Sequence, residues 1–187
     1  MILDHIEKKQ RLAPTSITLE KGQGLVVTGQ NGSGKTTLLD IIAGFTHPTS
    51  GTLQKTQTKR IGYLPQAPPR TFQYTVSEYL SIGNSTTKYP LLSALFELTA
   101  LLDKDVVRLS TGQWQRVSIA RLLMSESEIL LLDEPDAPLD DTWAAVIADA
   151  LTRELTRGAI IIATTHRPTL QNMTRFRHLN LTRSQNT

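Results

Sequence analysis

The residues with the clearest chemistry are Gly29-Gln30-Asn31-Gly32-Ser33-Gly34-Lys35-Thr36-Thr37, a G-x-x-x-x-G-K-T spacing. The apolar run Leu25-Val26-Val27 precedes it, and Leu38-Leu39-Asp40-Ile41-Ile42-Ala43 follows with the pattern of a helix that stops at Gly44. Strand, glycine-rich loop and helix in that order form a P-loop. A polyphosphate needs several positive partial charges at short range. Glycines let backbone N–H groups approach its oxygens, and the helix behind adds unpaired N–H groups and its dipole. Lys35 then reaches the β- and γ-phosphates as a point charge, and the Thr36 hydroxyl ligates a bridging magnesium ion. A plain glycine-rich helix cap would not require the complete spacing.

A second group of residues suits the same chemistry. Ile129-Leu130-Leu131-Leu132 is an unbroken apolar run of strand length, as expected for a parallel strand buried on both faces, and it ends in Asp133-Glu134-Pro135. Acidic residues there are costly unless they face a cleft, and in open α/β sheets the cleft lies at the carboxyl ends of the strands. Asp133 can therefore hold the magnesium shell, and Glu134 can orient or deprotonate an attacking water. Solvated acids at an ordinary strand end are the simpler alternative. Gln66 and His166 each follow a strand-like run, and Ser110 and Gln113 fit a helix capping box. Each of these is commonplace in isolation.

The elements that must position these residues read as an α/β chain. Residues 1–28 contain strands around Ile2, Ile6, Leu12 and Ile17, a turn at Glu20-Lys21-Gly22, and the strand before the loop. Two more strands are expected at Thr52-Leu53-Gln54 and Ile61-Gly62-Tyr63-Leu64. From Ala67 to Leu109 the character changes to helical: Thr75-Val76-Ser77-Glu78 is a capping box, and a second helix is expected from Pro90 to Leu102. A helix through Trp114 to Met124, one starting near Asp140 or Asp141 and ended by Gly158, a buried strand Ala159 to Thr164, a short helix from Pro168 and a strand Phe176 to Leu181 complete the chain, with a frayed tail after Arg183.

Composition narrows the function classes. The chain has 187 residues, 39% hydrophobic and 20% charged, with a formal net charge of +3. That length suits one α/β domain with a small inserted lobe. No apolar stretch reaches membrane-spanning length, no secretory leader pattern opens the chain, and the basic residues are scattered, so a cytoplasmic protein with no nucleic-acid partner is expected. The absence of cysteine excludes disulfides, thiolate zinc sites and cysteine nucleophiles.

Taken together and in order, these motifs resemble the ATP-binding cassette family. The resemblance covers Walker A from Gly29 to Thr37, the Q-loop Gln66, the signature from Leu109 to Gln113, Walker B from Ile129 to Glu134, the D-loop Ala137-Pro138-Leu139-Asp140 and the switch His166. It implies a P-loop core of mostly parallel sheet flanked by helices, with an N-terminal antiparallel portion (residues 1–66 and 110–187) and a helical insertion (residues 67–109).

It also implies MgATP hydrolysis in a head-to-tail dimer, homo- or heteromeric. ATP would lie between the Walker motifs of one subunit and Ser110, Gly112 and Gln113 of the other. Glu134 would act as base, Gln66 would contact magnesium and water, His166 would contact the γ-phosphate and Asp140 would signal across the dimer. Three departures stand out. Thr111 replaces the commonest glycine while Gly112 is retained. No aromatic lies between Met1 and Gly24 to stack on adenine, leaving Arg11 or His5. The chain ends soon after His166, without room for a C-terminal regulatory domain.

The resemblance further implies a motor subunit docked peripherally on the inner face of the cell membrane, served by separately encoded membrane-spanning subunits. Pro68, Pro69, Phe72, Tyr74 and Val76 are candidates for the docking patch, or for a loop packed on its own lobe. The alternative is a soluble cassette ATPase acting on nucleic acid or ribosomes. The short interval between Gln66 and the signature lacks the heptads of a coiled-coil insertion, and only one cassette is present.

Overall fold

In the computed structural model the described residues are 1–55, 60–71, 73–82 and 88–183. Phe72 and the tail at 184–187 lie outside them. Among these residues the strands form two sheets. β1 (Ile2–Lys8) pairs antiparallel with β2 (Leu12–Thr18) and with β4 (Ser50–Gln54). A parallel sheet has the order β5-β6-β7-β3-β8, built from β3 (Gly24–Gly29), β5 (Ile61–Leu64), β6 (Ile129–Asp133), β7 (Ile160–Thr164) and β8 (Phe176–Leu181).

Every residue of β6 and β7 is buried, which explains why both read as continuous apolar runs. Successive side chains point to opposite faces. Ile129 and Leu131 therefore join a core with Leu3, Ile6, Leu12 and the helix α1 (Lys35–Ala43). Leu130 and Leu132 join a second core on the other face. This second core reaches through α4 (Thr111–Met124) into the helical segment, taking in Trp114, Val76, Leu80, Phe96 and Leu98. The helical segment thus packs on α4, which in turn packs on the face of the sheet to which Leu130 and Leu132 point.

Two capping boxes form as the sequence suggests. Thr75 and Glu78 open α2 (Val76–Ser81), and Ser110 and Gln113 open α4. The helix expected from Pro90 to Leu102 is shorter: α3 spans Tyr89–Leu95 and a 3-10 turn follows at Thr99–Leu101. Glu97 takes the left-handed conformation (φ 50°), Leu98 N–H donates to Ser93 O and Glu97 N–H to Ala94 O. This is a Schellman termination without the glycine that would announce it, and burial of Phe96 and Leu98 drives it. α5 (Asp141–Thr156) has Asp140 as N-cap, accepting from Trp143 N–H at 3.0 Å, and ends before Gly158 (φ 94°). Trp143 is half-buried under the Arg116 guanidinium, 4.1 Å from its ring centre. α6 (Pro168–Gln171) precedes β8.

Candidate active site

β3 delivers the loop from inside the parallel sheet, between β7 and β8, and α1 begins at Lys35. Gly34, the N-cap, sits at φ 98°, and a Cβ there would run into the Arg11 carbonyl oxygen. At Gly29 (φ 148°) a Cβ would meet Leu181 O and Ser33 Oγ, both at 2.5 Å. These two positions thus admit only glycine. No side chain caps α1 and no acidic residue occupies its first turn, so its N–H groups and dipole remain available to an anion. Ser33 Oγ is buried with no hydrogen-bond partner among the described residues. An orphaned hydroxyl beneath such a loop fits a phosphate oxygen as acceptor.

Lys35 is largely buried and donates to Gly29 O (2.9 Å) and Gln30 O (3.4 Å), which fixes its ammonium across the loop. The adjoining cleft, about 480 Å³, is lined by Gln10, Arg11, Asn31, Gly32, Gly34, Lys35, Thr36 and Thr37 on one side and by Gln66 and Glu134 on the other. Arg11 thus faces the cleft. His5 does not line it; it pairs with Asp4 at 2.7 Å. Of the two candidates for the missing aromatic, the structure retains Arg11.

The strand-end acids meet the loop as expected. Thr36 Oγ1 donates to Asp133 Oδ2 at 2.6 Å, joining residues 97 apart in sequence. With its proton on Asp133, the Thr36 oxygen keeps its lone pairs for a hard cation, so hydroxyl and carboxylate fit magnesium held jointly with phosphate oxygens. Among the described residues no group of three or more His, Asp or Glu offers a protein-only metal cage. Glu134 Oε2 accepts from Gln66 Nε2 at 3.0 Å, and His166 Nε2 lies 3.3 Å from Glu134 Oε1. Gln66, Glu134 and His166, from the ends of three adjacent strands, thereby converge beside the loop.

Ser110, Gly112 and Gln113 are elsewhere, at the N-terminus of α4, and do not line this cleft. Ser110 N–H donates to Gln113 Oε1 and Gln113 N–H to Ser110 Oγ. Trp114 Nε1 donates to Pro68 O and Arg70 to Leu109 O, both at 2.9 Å, tying this terminus to the segment after Gln66. Gln115 Nε2 donates to Pro135 O, tying it to the acidic strand end.

Several features of the site were not anticipated from the sequence. Glu134 is left-handed (φ 49°), a conformation that costs a non-glycine residue and concentrates at functional sites. Thr164 and Asp133 are paired in register across β6 and β7. Thr165 Oγ1 donates to the buried Asp136 carboxylate at 2.8 and 3.0 Å. Burial raises the Asp136 pKa, against the Thr165 hydrogen bond. Arg183 donates from Nε and Nη2 to Asn31 O at 3.3 and 3.1 Å, clamping the loop from the far end of the chain. Two threonines closing an otherwise apolar strand were the one available signal.

A phosphate-gripping loop at the carboxyl end of a parallel sheet, facing an Asp-Glu strand end, defines a P-loop nucleotide-binding protein. The profile of the family described as "ABC transporter" matches residues 12–137, and the chain belongs to that family. It is 35% identical over 158 residues to "Zinc import ATP-binding protein ZnuC" of Yersinia enterocolitica serotype O:8 / biotype 1B (strain NCTC 13174 / 8081). That match covers 81% of this chain and 62% of the relative, so the chain spans about three-fifths of that relative's length. Among solved structures it resembles a metal-chelate type ABC transporter in an inward-facing conformation (TM-score 0.81, 27% identity, 97% of this chain and 79% of the other). It also resembles the archaeal ribosome recycling factor aABCE1 (TM-score 0.83, 27% identity, 96% of this chain and 36% of the other). Among the described residues no helix is long and apolar enough to cross a membrane.

Proposed function

We propose that this chain binds and hydrolyses ATP to energise transport of a solute across a membrane. The observation that carries the reading is the convergence of Thr36, Asp133, Gln66, Glu134 and His166 beside the phosphate loop. In this scheme the loop N–H groups, α1 and Lys35 hold the β- and γ-phosphates. Thr36, Asp133 and Gln66 would hold magnesium, which neutralises charge on the phosphate oxygens. Glu134 takes the proton of the attacking water, Gln66 orients Glu134 and that water, and His166 reaches toward the γ-phosphate.

The active assembly is a head-to-tail pair, homo- or heteromeric. Ser110, Gly112 and Gln113 of the partner subunit close over ATP there, and their helix N-terminus aims its dipole at phosphate. Asp140 relays between subunits. Residues 1–66 and 110–187 form the core, and residues 67–109 the helical insertion that couples to the membrane partner.

That partner docks between core and insertion. A groove of about 660 Å³ there is lined by Tyr63, Pro65, Pro68, Pro69, Tyr74 and Ile82, among others. Phe45, 70% exposed, stands edge-on to Tyr63 with ring centres 5.5 Å apart. An apolar helix of a separately encoded membrane-spanning subunit suits this surface. Val76, a candidate for the patch or for packing on its own lobe, is the first residue of α2 and fully buried, so it is no part of the groove. The protein accordingly works peripherally on the cytoplasmic face of the membrane. Similarity to a zinc-import ATP-binding protein and to a metal-chelate type transporter supports transport as the task.

The test is to trap tagged Glu134→Gln with MgATP in gentle detergent from its native cells and identify what accompanies it by mass spectrometry. A stoichiometric multi-spanning membrane protein is the expected result. Recovery of ribosomes or soluble factors alone would overturn the transport assignment.

A further inference from the structure

We infer that Thr164 is the positioning residue of this site, setting the orientation of Asp133 and the backbone of Glu134 through one buried hydroxyl. The inference rests on the ATP-hydrolysing reading above and concerns a residue outside the phosphate loop, the acidic pair and the switch histidine.

The geometry is fully committed. Thr164 is the last residue of β7, lies opposite Asp133 in the parallel ladder and is completely buried. Its Oγ1 donates its single proton to Asp133 Oδ1 at 2.6 Å and accepts the Glu134 N–H at 2.8 Å. Asp133 is thereby held at both oxygens, Oδ1 by Thr164 and Oδ2 by Thr36. A carboxylate gripped on both sides cannot rotate, so the face it turns to Thr36 stays constant. The second bond acts on the chain: Glu134 sits at φ 49°, and its amide is anchored by Thr164. A left-handed glutamate persists only where its surroundings hold it. The next residue, Thr165, holds Asp136 in the same manner, and His166 follows. One strand end therefore places the switch residue while orienting the acids opposite.

Removing the hydroxyl would leave Asp133 Oδ1, which is buried, without this donor and the partly buried Glu134 N–H without its acceptor. The Glu134 side chain would then shift relative to Gln66 and the cleft. Displacements on the order of 1 Å in a catalytic group cost about a hundredfold in rate. Among the described residues the Thr164 hydroxyl makes no hydrogen bond to the loop, Lys35 or α1, so nucleotide without magnesium should bind as before.

The test compares parent, Thr164→Val, Thr164→Ser and Thr164→Ala as full chains. Phosphate release gives kcat and KM, a fluorescent ATP analogue gives affinity with and without magnesium, and thermal melting reports folding. Expected are a kcat for Thr164→Val about a hundredfold below parent, magnesium-free affinity within about threefold, and a Thr164→Ser rate within about threefold of parent. Parental turnover by Thr164→Val overturns the inference, as does an equal loss in Ser and Val or a loss confined to KM. Should Thr164→Val fail to fold, Ser against Ala decides: a parental Ser rate with a depressed Ala rate supports the role, and equal rates overturn it. A parent with no MgATP turnover overturns the hydrolase reading and this inference with it. A turning-over parent with an unaffected Val variant overturns only the inference.

Discussion

Glu134→Gln should separate turnover from binding. In the structure Glu134 Oε2 accepts from Gln66 at 3.0 Å, and Oε1 lies 3.3 Å from His166 Nε2. Glutamine keeps the length and one carbonyl oxygen, so it preserves one of these contacts and presents an NH₂ to the other donor. The stability cost is one hydrogen bond at a partly exposed site, about 1 kcal/mol, which in a chain of this size moves Tm by about 2–4 °C. The kinetic cost is far larger, because an amide cannot take a proton from water. Losing a general base is worth about 10²–10⁴ in rate, or roughly 3–5 kcal/mol of barrier. Affinity should hold or tighten, since a negative charge has left a cleft that receives phosphates. Steady-state phosphate release, equilibrium binding of a fluorescent ATP analogue and thermal melting measure the three quantities independently. Turnover above about one-tenth of parental would refute Glu134 as the base, because it falls outside the range for a lost general base. Loss of nucleotide binding would refute the separation of base from phosphate grip.

At Gly34 an alanine Cβ would strike the Arg11 carbonyl oxygen at φ 98°; Gly34→Ala should cost about 2 kcal/mol or more and abolish ATP binding, checked by melting and titration. Lys88 and Arg157 both contact Glu154, whose side chain is 9% exposed; Lys88→Met should destabilise by about 2–4 kcal/mol while leaving ATP affinity unchanged. Burial raises the folded-state pKa of Asp136, so its stability contribution is fully present below the ordinary carboxylate pKa and is lost as pH rises through the folded value. Asp136→Asn removes this dependence, and its Tm relative to parent should therefore rise from acidic to neutral pH; a flat difference would count against the buried ionisation. With Arg11 as the only cationic face offered to a base from the β1–β2 turn among the cleft-lining residues, Arg11→Ala should weaken ATP and GTP alike by about two- to fivefold, and the parent should discriminate poorly between them. Strong ATP preference in the parent would contradict this.

The loop, the acidic strand end and the capping boxes were legible because each is a local pattern: residue type at fixed spacing, next to an apolar run of strand or helix length. Gln66 and His166 became candidates only through the order of motifs that the family resemblance supplies. The buried parallel strands followed from the same periodicities, whereas the antiparallel companion sheet was implied only by the resemblance to the ATP-binding cassette family. What a window of sequence did not reveal were relations between distant segments. The early end of α3 depends on burying Phe96 and Leu98 in the core that α4 shares, with a glutamate forced left-handed where glycine would have been recognisable. Val76 was a candidate either for the docking patch or for a loop packed on its own lobe, and its position as the first residue of α2 decides it, because it is fully buried there. His5 and Arg11 were equivalent by type, and only the β1–β2 turn decided which faces the cleft. Thr164 and Arg183 carry no motif at all; their roles arise from pairings 31 and 152 residues apart in the chain. Local spacing by itself determined which residues are candidates to grip phosphate and to move a proton. Tertiary structure alone decided how those residues are held, because orientation comes from strand register and buried hydrogen bonds between elements that meet only after the chain has folded.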